Sequence, residues 1–171
     1  MSQSFQLDRQ IRIAVLTVSD TRTKHTDQSG ALVHQLALDY ELEVVAYEVK
    51  KDDSESIGEI LSMWLKNEKV DAIITTGGTG IAKRDVTLEA VQPFFEKEMS
   101  GFGELFRYLS FTEDVGTKAL LSRAGAGVAS NKAIFVLPGS RGAVKLAMER
   151  LILPEIRHIV FELTKHGQLR M

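Results

Sequence analysis

The chain has no cysteine among its 171 residues. That absence excludes a disulfide framework, a cysteine-ligated zinc and a thiolate nucleophile, so any catalysis must use other groups. Charge of one sign is also missing: 21 lysines and arginines face 23 aspartates and glutamates, for a net charge of −2. Without an overall basic field, nucleic acid is not an expected partner. No segment approaches the ~20 apolar residues that span a bilayer, and the polar stretch Met1–Gln10 lacks the apolar region of a signal peptide. No membrane partner is expected, and the expected location is cytoplasmic. The four histidines, His25, His34, His158 and His166, show no short metal-ligand spacing, and none is assigned to a metal. Repeats, low-complexity tracts and linkers are absent. With 44% hydrophobic residues, the chain suits one compact core burying roughly 70% of its unfolded surface. The expected organisation is a polar leader over residues 1–10 and a single domain over 11–171.

What is present alternates strands with helices. Ile11–Val18 is short, β-branched and nearly continuously apolar, as in a strand covered on both faces. Leu32, Val33, Leu36 and Leu38 then fall near helical spacing, with Asp27 or Ser29 as cap. Glu43–Val49 reads as a second strand, and Ile57, Ile60, Leu61, Trp64 and Leu65 mark one face of a second helix. Val70–Thr76 is the third strand. This rhythm predicts parallel pairing through right-handed crossovers, with helices on both faces of the sheet. From Thr87 to Thr112 the pattern is mostly helical, broken by Pro93, Gly101 and Gly103, and it holds half of the twelve aromatic residues. There, Phe94, Phe95, Phe102, Phe106, Tyr108 and Phe111 suit core packing or a subunit contact better than a stacking wall for a flat ligand. Ala124–Ala129 and Ala133–Leu137 return to strand texture, a helix follows with Val144, Leu146, Ala147 and Leu151 inside, and Pro154 opens a last helix.

Four strand ends run directly into polar or glycine-rich loops: Ser19-Asp20, Asp52-Asp53, Gly77–Gly80 and Pro138-Gly139-Ser140. In a parallel sheet those ends share one edge, and open α/β sheets bind ligands in the crevice beyond it. The loop Thr75-Thr76-Gly77-Gly78-Thr79-Gly80 places three glycines in four positions, which brings bare N–H groups close to an anion. It is not a Walker loop, because Ile81-Ala82-Lys83-Arg84 supplies no Gly-Lys-Ser/Thr ending. The dinucleotide fingerprint also fails, with Lys83 where glycine or alanine must sit. Thr79 and the pair Lys83-Arg84 suit an anionic group; a tight turn with surface charges is the plainer alternative. Ser122-Arg123 and Ser140-Arg141 each set a hydroxyl beside a guanidinium. Asp52, Asp53 and Asp85 follow the second and third strands, and beside a phosphate site they imply a cation such as magnesium. They have a structural alternative too. Asp52 with Glu55 has capping-box spacing, and Asp85 could cap the helix near Glu89.

Taken in order, Ser19-Asp20, Thr75–Gly80 with Arg84-Asp85-Val86-Thr87, Gly101-Phe102-Gly103-Glu104, Leu121-Ser122-Arg123 and Leu137-Pro138-Gly139-Ser140 resemble the MoaB/MogA family of molybdenum cofactor biosynthesis. The likeness runs from about Ile11 to Ile152, and the segment Gly101–Phe111 looks more like MoaB than MogA. The resemblance implies a three-layer α/β/α fold with a mostly parallel central sheet, assembled as a trimer or a hexamer of two trimers. It also implies adenylylation of molybdopterin with MgATP and release of pyrophosphate, with no tightly bound prosthetic group. Asp52 and Asp85 match the family's two essential aspartates, as catalytic groups and magnesium ligands. Gly77, Gly78, Thr79 and Gly80 fall on the phosphate side. Ser122, Arg123, Gly139 and Ser140 fall on the pterin side, and Ser19, Asp20, Thr76 and Pro138 are further binding residues on the same edge. A non-catalytic molybdopterin-binding or scaffold protein of the same pathway is the main alternative, and a general nucleotide-binding module is a third. One departure stands out: the family carries proline after Val-Thr, where this chain has Leu88, so the start of that helix loses its preset turn.

Overall fold

The structure, a computed structural model, describes residues 7–166. A six-stranded sheet in the order β2-β1-β3-β6-β5-β4 forms its middle layer. The strands are β1 (Arg12–Val18), β2 (Glu43–Lys50), β3 (Ala72–Thr76), β4 (Lys97–Glu98), β5 (Gly125–Ala129) and β6 (Lys132–Leu137). β2, β1, β3 and β6 run parallel, as the strand–helix alternation predicts. The middle of the chain adds an antiparallel edge: β5 pairs with β6, and the two-residue β4 pairs with β5. Ser130 and Asn131 explain the change of direction. Both have positive φ, 51° and 57°, and they join Ala129 to its partner Lys132 in a two-residue hairpin. A parallel connection needs a dozen residues or more, so this spacing permits only the antiparallel return.

Side chains alternate between the two faces of the sheet. Ile13, Val15, Ile74 and Phe135 point into one core with Val33, Val144, Met148, Ile156 and Val160. These come from α1 (Gln28–Asp39), α5 (Arg141–Ala147), α6 (Leu153–Thr164) and the turn between α5 and α6. Ala14, Leu16, Ile73, Ile134 and Val136 meet Ile57, Leu61 and Trp64 of α2 (Ser54–Leu65) and Val91 of α3 (Thr87–Val91) in the other core. The result is the expected three-layer α/β/α arrangement. Asp27 caps α1, its carboxylate accepting the Gly30 N–H at 3.0 Å. Pro154 sits in the first turn of α6, but no break precedes it. A π-helical turn over Met148–Ile152 joins α5 to α6, so the chain is helical from Arg141 to Thr164.

Gly101 and Gly103 do not break the helical pattern; both lie inside α4 (Ser100–Glu113). Gly103 has a packing reason, because a β-carbon there would meet the Ala124 carbonyl at 2.8 Å. α4 therefore passes close to the start of β5, and Arg107 Nη1 donates to that same carbonyl at 2.9 Å. Among the aromatics, Phe102 packs edge-on against Phe135 at 5.3 Å and stacks on the buried Phe106 at 6.3 Å, while Phe94 and Phe95 cover the opposite core. Tyr108 and Phe111 remain exposed.

The amino ends of the strands carry a structural ion-pair cluster. Arg9 Nη1 and Nη2 grip Asp71 at 2.7 and 2.8 Å, and the Arg12 N–H donates to it at 2.8 Å. Burial pushes the Asp71 carboxyl up, but these donors outweigh it and hold the group below the usual carboxylate range. Leu7 packs on the core and Gln10 donates to the Glu41 carbonyl at 3.0 Å, so this part of the polar leader is tied to the domain. Residues 1–6 lie outside the described residues.

Candidate active site

β1, β2, β3 and β6 end together, and the loops that follow them form one crevice along the carboxyl edge of the sheet. The glycine loop lies at its centre. Gly77 has φ 100° and Gly78 φ 71°, a region that favours glycine. A β-carbon on Gly77 would lie 2.2 Å from the Val18 carbonyl oxygen, so the loop sits directly on the end of β1. The Gly77 N–H donates to Leu137 O at 2.9 Å, and Thr87 returns two bonds, its hydroxyl to Gly77 O at 2.8 Å and its N–H to Gly78 O at 3.2 Å. Those bonds hold the entry to α3 without a proline, and Leu88 packs toward Gly125.

Both aspartates close on this loop. A β-carbon at Gly78 would stand 3.1 Å from Asp52 Oδ1, and one at Gly80 would stand 2.8 Å from Asp85 Oδ2. The capping alternatives separate cleanly. Asp53 rather than Asp52 caps α2, accepting the Ser56 N–H at 3.0 Å and its hydroxyl at 2.7 Å. Asp52 is thereby left to the crevice. Asp85 does not cap α3; its Oδ2 accepts the Ala82 N–H at 2.9 Å and closes the turn after the glycines.

The crevice has two lobes that share Gly77, Gly78, Asp85, Gly139 and Ser140. One, of about 400 Å³, is lined also by Ser19, Arg22, Asp52 and Thr76. The other, of about 370 Å³, is lined also by Thr79, Gly80, Pro138, Ser122, Asp114 and Lys118, with Phe106 beneath. Burial pushes the Asp52 carboxyl above its ordinary range, and the charges of Asp20 and Asp85 add to the shift. Asp20 behaves oppositely. Burial works against its charge, but Arg84 and the Asp52 N–H hold it below the carboxylate range. Among the described residues no cluster of three or more His, Cys, Asp or Glu side chains forms a metal cage.

Several sequence-predicted residues do different work from that expected of their type. Arg84 pairs with Asp20, its Nε at 2.6 Å, so neither side chain lines the lobes. Arg123 staples the glycine loop from behind, donating to Gly80 O at 2.9 Å, to Asp85 O at 3.1 Å and to Glu89. Ser140 Oγ caps α5 by accepting the Ala143 N–H at 3.2 Å, and the Thr76 hydroxyl donates to Pro138 O at 2.9 Å. Ser122 Oγ is buried without a hydrogen-bond partner among the described residues. The sequence reading missed Arg22, Asp114 and Lys118. Arg22 lies only two residues after Asp20 inside a polar stretch, a signal of position that residue type alone does not rank.

Residues 14–158 match the MoCF_biosynth family model, described as "Probable molybdopterin binding domain". The chain belongs to this family. It is similar to molybdenum cofactor biosynthesis protein B of Staphylococcus carnosus, with 59% identity over 162 residues, 94% of this chain and 95% of that one. A crystal structure of a molybdenum cofactor biosynthesis protein B matches with a TM-score of 0.90 and 51% identity, over 94% of this chain and 99% of the other. The tungsten cofactor synthesizing protein MoaB from Pyrococcus furiosus matches with a TM-score of 0.80 and 37% identity, over 91% of this chain and 98% of the other. MoaB/MogA family membership agrees with the order of motifs from Ser19 to Ser140. No helix among the described residues is long and apolar enough to cross a membrane.

Proposed function

We propose that this crevice transfers the adenylyl group of ATP to the terminal phosphate of molybdopterin. The observation that supports the reading most directly is the placement of Asp52 and Asp85 against one glycine loop, Asp52 near Gly78 and Asp85 near Gly80, with both carboxylates lining the 400 Å³ lobe. In this reaction a phosphate oxygen of molybdopterin attacks the α-phosphorus of ATP, the α–β bridging bond breaks, and pyrophosphate leaves with the bond's electrons. Such a step asks the protein mainly to hold two anions in line and to balance developing charge. With the Gly77 N–H committed to Leu137 O, the amides of Gly78–Gly80 and the Thr79 hydroxyl are the loop's donors to the reacting phosphates. The 400 Å³ lobe takes the nucleotide polyphosphate, and the 370 Å³ lobe takes the pterin over Phe106, toward Ser122.

Magnesium fits the donor set. Asp52 and Asp85 are hard oxygen donors that line one lobe beside an anion-binding loop, and the Asp52 carboxyl is pushed up first by burial and then by the charges of Asp20 and Asp85, which a bound cation would offset. Asp52 and Asp85 would hold the ion, with phosphate oxygens and water filling its remaining positions. When bound, magnesium neutralises phosphate charge and steadies the leaving group.

The test is direct. Pure protein incubated with molybdopterin, ATP and magnesium is expected to yield adenylylated pterin and one pyrophosphate per transfer. Pterin binding with no product above the enzyme-free control would overturn adenylyl transfer in favour of a non-catalytic binding role.

Self-association as a trimer or hexamer belongs to the same proposal. Leu105, Tyr108 and Phe111 stand exposed on α4, and Leu120 is 86% exposed beside a 650 Å³ hollow lined by Phe111, Ala119 and Arg107. A surface this apolar marks a protein contact. Sedimentation is expected to show a trimer or hexamer for the native chain and a smaller species for the Phe111→Arg, Leu120→Arg double variant. A native monomer would overturn the assembly.

A further inference from the structure

The 400 Å³ lobe contains two carboxylates, Asp52 and Asp85, and among the described residues that line it one cation, Arg22. Two guanidinium groups beside the crevice use their forks on protein partners and do not line the lobe. Arg84 is paired with Asp20, and Arg123 with Glu89 and two carbonyls.

Arg22 is held differently. Its Nη1 donates to Ser29 Oγ at 3.1 Å and to Gly139 O at 3.4 Å, and lies 3.9 Å from Asp27 Oδ1. Its backbone N–H donates to Ser19 Oγ at 3.1 Å. One terminal nitrogen therefore makes every side-chain contact. Among the described residues Nε and Nη2 have no hydrogen-bond partner, and the side chain is 39% exposed in the lobe. The counter-ion is built into the fold. Asp27 is fully buried and accepts from the Thr17 hydroxyl at 2.6 Å, the Tyr47 hydroxyl and the Gly30 N–H. Burial raises the Tyr47 hydroxyl well above its ordinary range and the adjacent Asp27 carboxylate adds to this, so Tyr47 stays a donor. Asp27 thus fixes where the guanidinium starts, and Nε and Nη2 are left unpartnered on a side chain that lines the lobe.

We infer that Arg22 is the anion-binding side chain of this lobe, presenting Nε and Nη2 to the β,γ end of the bound nucleotide and to the departing pyrophosphate. Arginine's planar fork suits two phosphate oxygens at once, and its permanent charge faces a polyphosphate whose other side meets the aspartate-held cation. The Gly139 carbonyl links Arg22 to the loop shared by both lobes. Asp27 is a positioning residue that acts through Arg22. The identity of the anion as a leaving group rests on the adenylyl-transfer reading; the binding of a polyphosphate does not.

Calorimetric titration of the full chain with inorganic pyrophosphate and magnesium, without ATP or pterin, tests this. Arg22→Gln keeps an amide donor near Gly139 while removing the charge, and is expected to weaken pyrophosphate binding by about tenfold or more. Arg22→Lys, which retains the charge but not the fork, is expected to fall between. In turnover, Arg22→Gln is expected to raise KM for ATP more than it lowers kcat, with molybdopterin affinity unchanged. A native chain that binds no pyrophosphate, or a folded Arg22→Gln that binds it as tightly as the native chain, would overturn the inference. Should Arg22→Gln fail to fold, Arg22→Lys decides the matter, and undiminished affinity there would overturn it equally. If binding depends on Arg22 but no adenylylated product forms, the adenylyl-transfer reading falls and the arginine site stands.

Discussion

Replacing Asp52 by Asn is expected to lower adenylyl transfer by about 10²–10³-fold while the fold survives, the scale of losing one preorganised electrostatic group. The structure sharpens that expectation into a contrast between activity and stability. Asp52 lies near Asp20 and Asp85, and burial together with their charges disfavours its ionised form. An uncharged amide of the same size relieves that repulsion, so the melting temperature should hold or rise slightly as activity is lost, a pattern common at sites under functional strain. Asp85→Asn should behave alike in turnover, because its remaining carbonyl oxygen can still accept the Ala82 N–H. The neighbouring residue is the control. Asp53→Ala removes the α2 cap and should cost about 1 kcal/mol of stability with turnover retained. Pyrophosphate release and thermal melting measured on the three variants separate these effects. Full turnover in both Asp52→Asn and Asp85→Asn would remove the two carboxylates from the mechanism.

Gly77→Ala is the second large effect, and here the loss is of folding. A side chain at φ 100° is strained in itself, and its β-carbon would lie 2.2 Å from the backbone oxygen of Val18, an atom fixed at the end of β1, which is paired on both sides. Neither partner can turn aside as a flexible side chain would. About 2–4 kcal/mol of destabilisation is expected, or roughly 5–15 °C in melting temperature for a domain of this size. Gly58→Ala, on α2 with nothing within 4 Å of the added carbon, should be neutral or stabilising. Equal melting temperatures for the two variants would mean that the glycine loop does not sit on β1 as described.

The four parallel strands and the helices between them were legible because burial on both faces and helical spacing leave their pattern in a few consecutive residues. The antiparallel edge was not read, although its signal was present. Ser130-Asn131 between two apolar runs is a two-residue turn, and it reverses β6 against β5 where the preceding rhythm suggested another parallel crossover. β4 escaped because two residues, Lys97 and Glu98, carry no period. Gly101 and Gly103 misled in the other direction. A glycine inside a helix reads as a break until the neighbour that needs the space is known, which for Gly103 is the Ala124 carbonyl; Gly101 has nothing within 4 Å of an added β-carbon.

From residue order alone came the α/β class, the glycine loop and the edge of the sheet where ligands gather, since backbone freedom and apolar periodicity are local properties of the chain. Tertiary structure alone separated Asp52 from its neighbour Asp53, turned Arg84 and Arg123 to structural pairing, and left Arg22 facing the crevice. Asp53 is taken by a local cap on Ser56, but the other outcomes depend on partners distant in sequence, such as Asp20 with Arg84 and Arg22 with Gly139, 64 and 117 residues apart. A side chain's role is set by what packing brings within about 3 Å of it, and residue spacing does not encode that distance.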